Sequence, residues 1–496
     1  MHKNQRTLIA AAVLLGGTLT VGLLVARPLF HLARAVYLDT GATALPPKGF
    51  ADDASRLNQT KVAEVWRVPV EEKDPEEQIA RLLRRAKAEG LRVSIAGARH
   101  SMGGHTMYPG GMVIDMLPFK SLRVDAKNRR LHVQAGALWS DIIPFLDKHG
   151  ISVAVMQSND SFSVGGSLSV NCHGWQYNRP PISSTVESFR LMLADGTVRR
   201  CSRTENKELF SLALGGYGLF GIILDAELRV VPNERYTVEQ YVVPFDKSVE
   251  TFRAKIHDRP GLQMFYARMN VVPERLFEEV IISGFIREEG PIPALQPPAM
   301  SSLKRAIFRG SALNDYGKKL RYDAETQLQP WLIGNVFSRN QLLYEGVDLY
   351  GNRSPDSTDI LHEYFVPAGR AVEFADAMRA VINARRPNLL NVTVRWINED
   401  RDAFLRYADK PTVAFVMLFV QDKTEASETR MRDLTRDLID AALACEGRYY
   451  LPYRLHATPE QFHLAYPMAR RFFERKRHYD PDELFQNHFY VQYGKT

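Results

Sequence analysis

Three glycine-rich stretches near the front of the chain constrain its fold more than any other feature. They run from Gly97 to Gly104, from Ser161 to Gly174, and over Gly215-Gly216-Tyr217-Gly218, and each adjoins a strand-like run. One such loop would say little, because any turn that needs a positive φ recruits glycine. Three within about 120 residues let several backbone N–H groups close on one anion, as a nest does. A diphosphate joining two nucleoside-like ends needs that many. None of the loops has the GxGxxG of a dinucleotide Rossmann turn or the GK[ST] of a P-loop. The spacing points to a nucleotide or diphosphate cofactor, with ordinary turns as the alternative. His100 sits at the apex of the first loop, where an imidazole meets a ligand rather than a core, and Arg99 beside it offers charge to phosphate. A solvated loop histidine is the other reading.

Around these loops the pattern is α+β. Asp74-Pro75-Glu76-Glu77 reads as a helix start, with an N-cap acid, proline at the first helical position and acids facing the dipole. Ile79, Leu82, Leu83 and Ala86 form an apolar stripe that Gly90 stops. Strands are expected over Leu91–Ala96, Met112–Met116, Leu131–Gln134 and Phe220–Val231, and a helix around Leu138–His149. Val186–Leu193 and Val198–Cys201 flank Asp195-Gly196, a hairpin with a DG turn. Past Arg235 the spacings lengthen. One amphipathic helix, Pro459–His478, then precedes a Pro/Asp turn and a short strand. Cys172, Cys201 and Cys445 are too few and too scattered for a disulfide scaffold or a metal site. The net charge of +7 is interspersed among 64 basic and 57 acidic side chains, which argues against a dedicated nucleic-acid protein.

One end does not fit a soluble body. Leu8–Ala26 holds nineteen residues without a charge, preceded by His2, Lys3 and Arg6 and followed by Arg27, His31 and Arg34. A bilayer crossing takes about 20 apolar residues, whereas the core of an export signal has roughly 7–15. The stretch reads as a single membrane anchor, with a cleaved export signal as the alternative. Its flanking charges are too balanced to orient it.

These residues together make the sequence similar to the vanillyl-alcohol-oxidase/PCMH-type family of FAD-linked oxidoreductases, strongly over about residues 60–235 and moderately in the C-terminal fifty. Gly97-Ala98-Arg99-His100-Ser101 resembles the G-x-R-H-S of alditol and aldonolactone oxidases, whose histidine carries the 8α-methyl of FAD. The resemblance implies covalent FAD on His100. Ser163-Val164-Gly165-Gly166 and His173-Gly174 resemble the second loop that cradles the pyrophosphate and isoalloxazine. The stretch from Cys201 to Phe220-Gly221-Ile222-Ile223 is similar to cytokinin dehydrogenases, as is Tyr450-Leu451-Pro452 with Tyr479-Asp480-Pro481. The resemblance also implies a set of cofactor contacts at Gly97, Ala98, Arg99, His100, Ser101, Gly103, Gly104, Ser163, Val164, Gly165, Gly166, Ser169, His173, Gly174, Gly221, Ile222 and Asn487. Met156 to Val164 holds no cysteine for a second flavin bond, and Cys172 reads as a packed small residue.

In the second half, His362-Glu363-Tyr364-Phe365-Val366-Pro367 looks like the E-[YF]-x-[VI]-P strand of the sugar-type oxidases. Asn391-Val392-Thr393-Val394-Arg395 resembles their E-x-R strand, with Thr393 where they have glutamate. An arginine beside a flavin stabilises negative charge on the reduced ring or on a substrate alkoxide. An ion pair of Arg395 with Glu399 or Asp400 is the alternative. Arg454-Leu455-His456 keeps the arginine and histidine of R-P-H-W-G-K but not the lysine. Removing hydride from CH–OH needs a proton acceptor, so His456 and Glu363 join Arg395 as catalytic candidates, and His173 reads as structural. With the glutamate and lysine absent, polyol or aldonolactone specificity does not carry over. Glu187-Ser188-Phe189-Arg190 lacks the aspartate of cytokinin dehydrogenases.

The expected architecture is a transmembrane anchor (1–35), a linker (36–59), a PCMH-type FAD-binding domain (60–235), an α+β substrate or cap domain (236–445) and a C-terminal segment (446–496) returning to the FAD domain. The expected function is a membrane-anchored, FAD-dependent oxidase or dehydrogenase that takes hydride from a small CH–OH substrate such as a polyol, sugar or aldonolactone. Oxygen or another acceptor reoxidises the flavin, the lipid bilayer is met through residues 8–26, and no metal or nucleic acid is involved. A Δ24-sterol-reductase-like alkene reductase, a CH–NH dehydrogenase and a non-catalytic flavin-binding protein are the alternatives.

Overall fold

The computed structural model describes residues 25–41, 45–71, 74–257, 259–298, 300–328 and 334–495. Of the expected anchor (1–35), residues 1–24, and with them most of the charge-free run Leu8–Ala26, lie outside the described residues. Among the described residues no helix is long and apolar enough to cross a membrane.

The front of the chain builds two sheets. Glu64–Arg67, Met112–Asp115 and Val93–Ala96 make a parallel sheet with Met112–Asp115 at its centre. The helix Pro75–Ala88 makes the crossover that parallel pairing requires. Its apolar stripe of Ile79, Leu82, Leu83 and Ala86 is buried. Asp74 departs from the expected cap: it sits at a left-handed φ of 53° and its side chain makes no capping hydrogen bond. Proline at the first turn with Glu76 and Glu77 suffices to start the helix. The second sheet is antiparallel and orders Val198–Ser202, Val186–Met192, Ile222–Pro232, Arg130–Gln134 and Leu122–Asp125, with Ile151–Val153 also paired to Ile222–Pro232. Its hairpin turns at Asp195-Gly196, where Gly196 has φ 84°.

Residues beyond Arg235 form an eight-stranded antiparallel sheet containing Arg235–Pro244, Glu279–Arg287, Leu262–Met269, Asn388–Ile397, Thr412–Asp422 and Ser357–Pro367 as consecutive neighbours. One face is covered by the helices Ala371–Arg385 and Glu425–Ala444, whose Phe374, Met378, Leu434 and Leu438 pack into one core with Phe415, Met417 and Phe419. Strand alternation therefore turns the intervening residues to the other face. Glu363 pairs with Val416, Val416 with Thr393, and Thr393 with Arg268, so these four form one row across that uncovered face.

The C-terminal segment differs from its expected form. The single helix Pro459–His478 is two, Pro459–Ala465 and Ala469–Tyr479, because Pro467 between them offers no N–H to continue the ladder. The terminal strand is instead a helix, His488–Tyr493, capped by the Asn487 side chain. Just before it the chain joins the edge of the parallel sheet: Val93 N donates to Leu484 O at 2.8 Å, and Gln486 N to Val93 O at 3.0 Å. The stretch expected as a linker is also built into the body from residue 45 on. Phe50–Ala51 pairs with Thr60–Lys61, and Asp53 and Ser55 are buried.

Candidate active site

A cavity of about 1880 Å³ lies between the three glycine loops and the uncovered face of the large sheet. The first loop leaves the central sheet at Ala96. A Cβ on Gly97 would stand 2.0 Å from Ser163 Oγ, so the first and second loops approach at a distance only glycine permits. The same hydroxyl accepts from Ala98 N at 3.3 Å. Arg99 holds a left-handed φ of 56° and places its guanidinium 3.5 Å from Asp115.

His100 is stacked on Phe162, with ring centroids 4.2 Å apart, and its Nε2 lies 3.1 Å from Ser161 O. A carbonyl only accepts, so Nε2 carries the hydrogen and the lone pair resides on Nδ1. Burial pushes the pKa of this ring down, favouring the neutral form, while the Ser161 carbonyl opposes the shift.

From the second loop, Ser163, Gly165, Gly166 and Ser169 line the cavity, and from the third Tyr217, Gly218 and Gly221. Gly221 has φ 146°, and a Cβ there would meet Met192 O at 2.4 Å. Ser101 Oγ and Thr106 Oγ1 also belong to cavity-lining residues, and both are buried without a hydrogen-bond partner among the described residues. Buried hydroxyls of this kind ordinarily find a partner. A close-packed glycine cradle edged by spare donors fits a dinucleotide with a diphosphate and a polar ring.

At the sheet end, Glu363 and Arg395 line the same cavity with His173. His173 Nε2 lies 2.6 Å from Glu363 Oε1, and Tyr453 donates its hydroxyl to Glu363 Oε2 at 3.3 Å. Arg395 Nη2 donates to Ser158 Oγ. Burial lowers the Arg395 pKa, and Glu363 acts against that shift as a nearby counter-charge. The alternative partners of Arg395 are engaged elsewhere: Glu399 with Arg401, and Asp400 with Asn171 and Ser183. Cys172 lines the cavity beside them, but burial pushes its thiol up to about 12, so it stays an unreactive thiol.

The remaining candidates stand behind this lining. Gly103 packs on Tyr453 O, Gly174 on Met156 O, and Gly104 N donates to Asp53 Oδ2 at 2.8 Å. Val164 and Ile222 are core residues. Asn487 Nδ2 donates to His105 O at 3.0 Å and to Tyr217 O at 2.9 Å, tying the first and third loop regions together. His456 does not line the cavity. Its Nε2 lies 2.7 Å from Glu428 Oε1 and its Nδ1 2.9 Å from Thr435 Oγ1, so the helix Glu425–Ala444 occupies both ring nitrogens. Ser158, Tyr453 and the cavity-lining Asp52 and Asp53 are additions that the sequence did not single out. None sits in a glycine loop or a familiar motif.

Residues 72–202 match a family model described as an FAD binding domain. The front of this chain is a PCMH-type FAD-binding domain. The cradle therefore serves FAD. The chain is 30% identical to the L-gulonolactone oxidase of Mus musculus over 31% of its own length and 35% of the relative's. It is 33% identical to cytokinin dehydrogenase 10 of Oryza sativa subsp. japonica over 60% of each. To the decaprenylphosphoryl-beta-D-ribose oxidase of Mycolicibacterium smegmatis it is 24% identical over 83% of this chain and 91% of that one. The gulonolactone oxidases are thus matched over only about a third of their length, 35% and 36%. The likeness to the ribose oxidase is long enough to extend into the second half of the chain.

Proposed function

We propose that the protein is a membrane-anchored, FAD-dependent oxidoreductase that takes hydride from a CH–OH carbon, with His100 as the covalent flavin attachment. The observation that carries this reading is that Glu363, held by His173 and facing Arg395, shares one cavity with the His100 loop. Bound FAD supplies the hydride acceptor. Glu363 accepts the hydroxyl proton at a carboxylate oxygen, a role it fills in place of His456. His173 and Tyr453 hold that carboxylate in orientation, and Arg395 stabilises the negative charge that develops beside it. The Nδ1 lone pair of His100 supports the attachment, since a neutral ring nitrogen is the nucleophile required. Two relatives are named as oxidases of a lactone and of a phosphoryl ribose, which supports an oxygen-bearing carbon as the site of oxidation. The charge-free Leu8–Ala26 supports the anchor.

The test is a panel of polyols, aldonolactones, hydroxy acids, long-chain alcohols and amines, read by anaerobic bleaching of the flavin. Bleaching by an alcohol but by no amine is expected, and bleaching by amines alone refutes the CH–OH reading. Acid-precipitated protein should remain yellow, and His100→Ala should lose that colour to the supernatant. Free flavin from the unaltered protein would refute the attachment.

A further inference from the structure

The cavity opens beside a surface poorly suited to water. Residues 25–38 form a helix whose inner side docks on the helices Ser301–Gly310 and Asp315–Asp323. His31 and Ala35 are buried there, His31 Nε2 lies 3.0 Å from Gly310 O, and Arg27 sits over the Tyr316 ring. Arg305 grips Asp39, just past the helix end, through two nitrogens. At about 100° per residue, Val25, Leu29, Phe30, Val36 and Tyr37 fall with two alanines on the opposite side. All five are exposed, Phe30 by 74% and Tyr37 by 76%. A surface helix of a soluble body turns its polar face outward; here the outward face is apolar.

The same helix forms one lip of the cavity. Pro28 and Leu32 line it, together with Leu45, Met300 and Leu303, of which Leu45 is 89% exposed. An apolar patch continuous with a cavity mouth marks an interaction surface. The helix follows directly on the charge-free run Leu8–Ala26, which identifies the bilayer as the surface it meets. Arg34 beside the apolar face suits lipid phosphates. Inside, Leu361, Val416 and Leu418 give the cavity an apolar wall beside Glu363.

We propose that helix 25–38 lies in the bilayer interface and that the substrate is a membrane-dissolved alcohol bearing a long apolar chain, which enters the cavity directly from the lipid. This deepens the oxidoreductase reading and rests on it and on the anchor. The hydroxyl end reaches Glu363 and the chain trails along the apolar wall to the mouth.

The native cysteines are all buried, so a thiol-reactive fluorophore on Phe30→Cys reports one place. Full-length protein is reconstituted in phosphatidylcholine vesicles with brominated acyl chains. The probe should be quenched at least twofold more than the same probe on Val198→Cys, on the edge strand Val198–Ser202 of the FAD domain. Equal quenching in protein that sediments with the vesicles overturns the interfacial helix while the anchor stands; protein that stays out of the vesicles overturns the anchor and the proposal with it. Bleaching of the flavin by dodecan-1-ol and by butan-1-ol is then compared. Dodecan-1-ol should bleach it at least tenfold faster at equal concentration, and Leu303→Glu should erase that advantage by lowering the dodecan-1-ol to butan-1-ol rate ratio at least fivefold. Equal rates, or an advantage that survives Leu303→Glu, overturn the lipid-chain substrate. Failure of every alcohol, with bleaching by an amine, instead overturns the oxidoreductase reading beneath it.

Discussion

Gly97→Ala is the most direct probe of the cradle, because the structure isolates the reason for its cost. Gly97 does not hold a left-handed φ, so alanine meets no backbone strain there. What it meets is Ser163 Oγ at 2.0 Å, followed by Ser163 Cβ at 3.1 Å. Moving the hydroxyl away forfeits its bond from Ala98 N, a loss of about 1 kcal/mol. Forcing an extra carbon between two packed loops adds about 1–3 kcal/mol. Ser163→Ala alone loses only the hydrogen bond, so about 1 kcal/mol is expected. In the double variant the nearest contact is the 3.1 Å one, which a shift of a few tenths of an ångström relieves. The two changes should therefore cost about 2–4 kcal/mol less together than their sum, a coupling that a double-mutant cycle resolves. The assay is the urea midpoint of unfolding for the four proteins, read by near-UV circular dichroism. Strict additivity would show that the loops do not meet through this hydroxyl, and the cradle as built would be wrong.

Other changes separate the chemistry from the scaffold. Glu363→Gln keeps the side-chain volume and removes the base, and should slow single-turnover flavin reduction by about 10²–10⁴-fold with flavin content unchanged; an unchanged rate removes Glu363 from the reaction. His456→Gln should leave that rate within a few-fold and lower thermal stability instead, and a loss matching that of Glu363→Gln refutes its placement outside the site. Burial alone would raise the Glu428 carboxyl, but His456 and Arg454 outweigh it and hold the group well below its ordinary 4.5. A depressed folded pKa stabilises above the unfolded value and is lost as pH falls. Glu428→Gln should thus cost up to about 3 kcal/mol at neutral pH, and the gap in urea midpoint should narrow below pH 4.5; a gap constant with pH contradicts the pairing. Deleting residues 1–24 should make the protein extractable from membranes by alkaline carbonate, and extraction of the intact chain would refute the anchor.

How much of the fold and site is legible in the sequence depends on the range of the interactions involved. The helix Pro75–Ala88 and the hairpin around Asp195-Gly196 are specified by neighbours in the chain, and both form where residue pattern places them. The glycine loops are legible as a cradle, but Gly97 needs Ser163 and Gly174 needs Met156, so the reason for each glycine lies on another segment. His456 shows the limit clearly. Its motif resembles a catalytic one, yet Glu428 and Thr435 on a separate helix engage both ring nitrogens, and no local pattern announces that. Asp53 illustrates the reverse error. It lies in a stretch that reads as a linker, yet it accepts from Ser55, Asn58 and Gly104 N and fixes the first loop from behind.

The pairing of Glu363 with Arg395 also has a consequence for the direction of the reaction. Glu363 offsets part of the cost of burying the Arg395 guanidinium. In the proposed step Glu363 becomes neutral on taking the hydroxyl proton, and Arg395 would lose its counter-charge as negative charge leaves the substrate with the hydride. The guanidinium, which does not deprotonate in proteins, then neutralises that new charge. The site holds one cation and one anion both before and after, so no additional ion has to be accommodated in a region that burial makes costly for any unpaired one. A neutral base would conserve the total charge too, but it would end as a second cation beside Arg395. A carboxylate at position 363 is for that reason a better proton acceptor here than a histidine. Arg395→Gln should accordingly slow flavin reduction even where substrate still binds, whereas Arg395→Lys should retain most of the rate, because charge rather than the guanidinium fork is what the step requires. If lysine proves as slow as glutamine in single-turnover reduction, the role of Arg395 is geometric and charge balance does not govern the step.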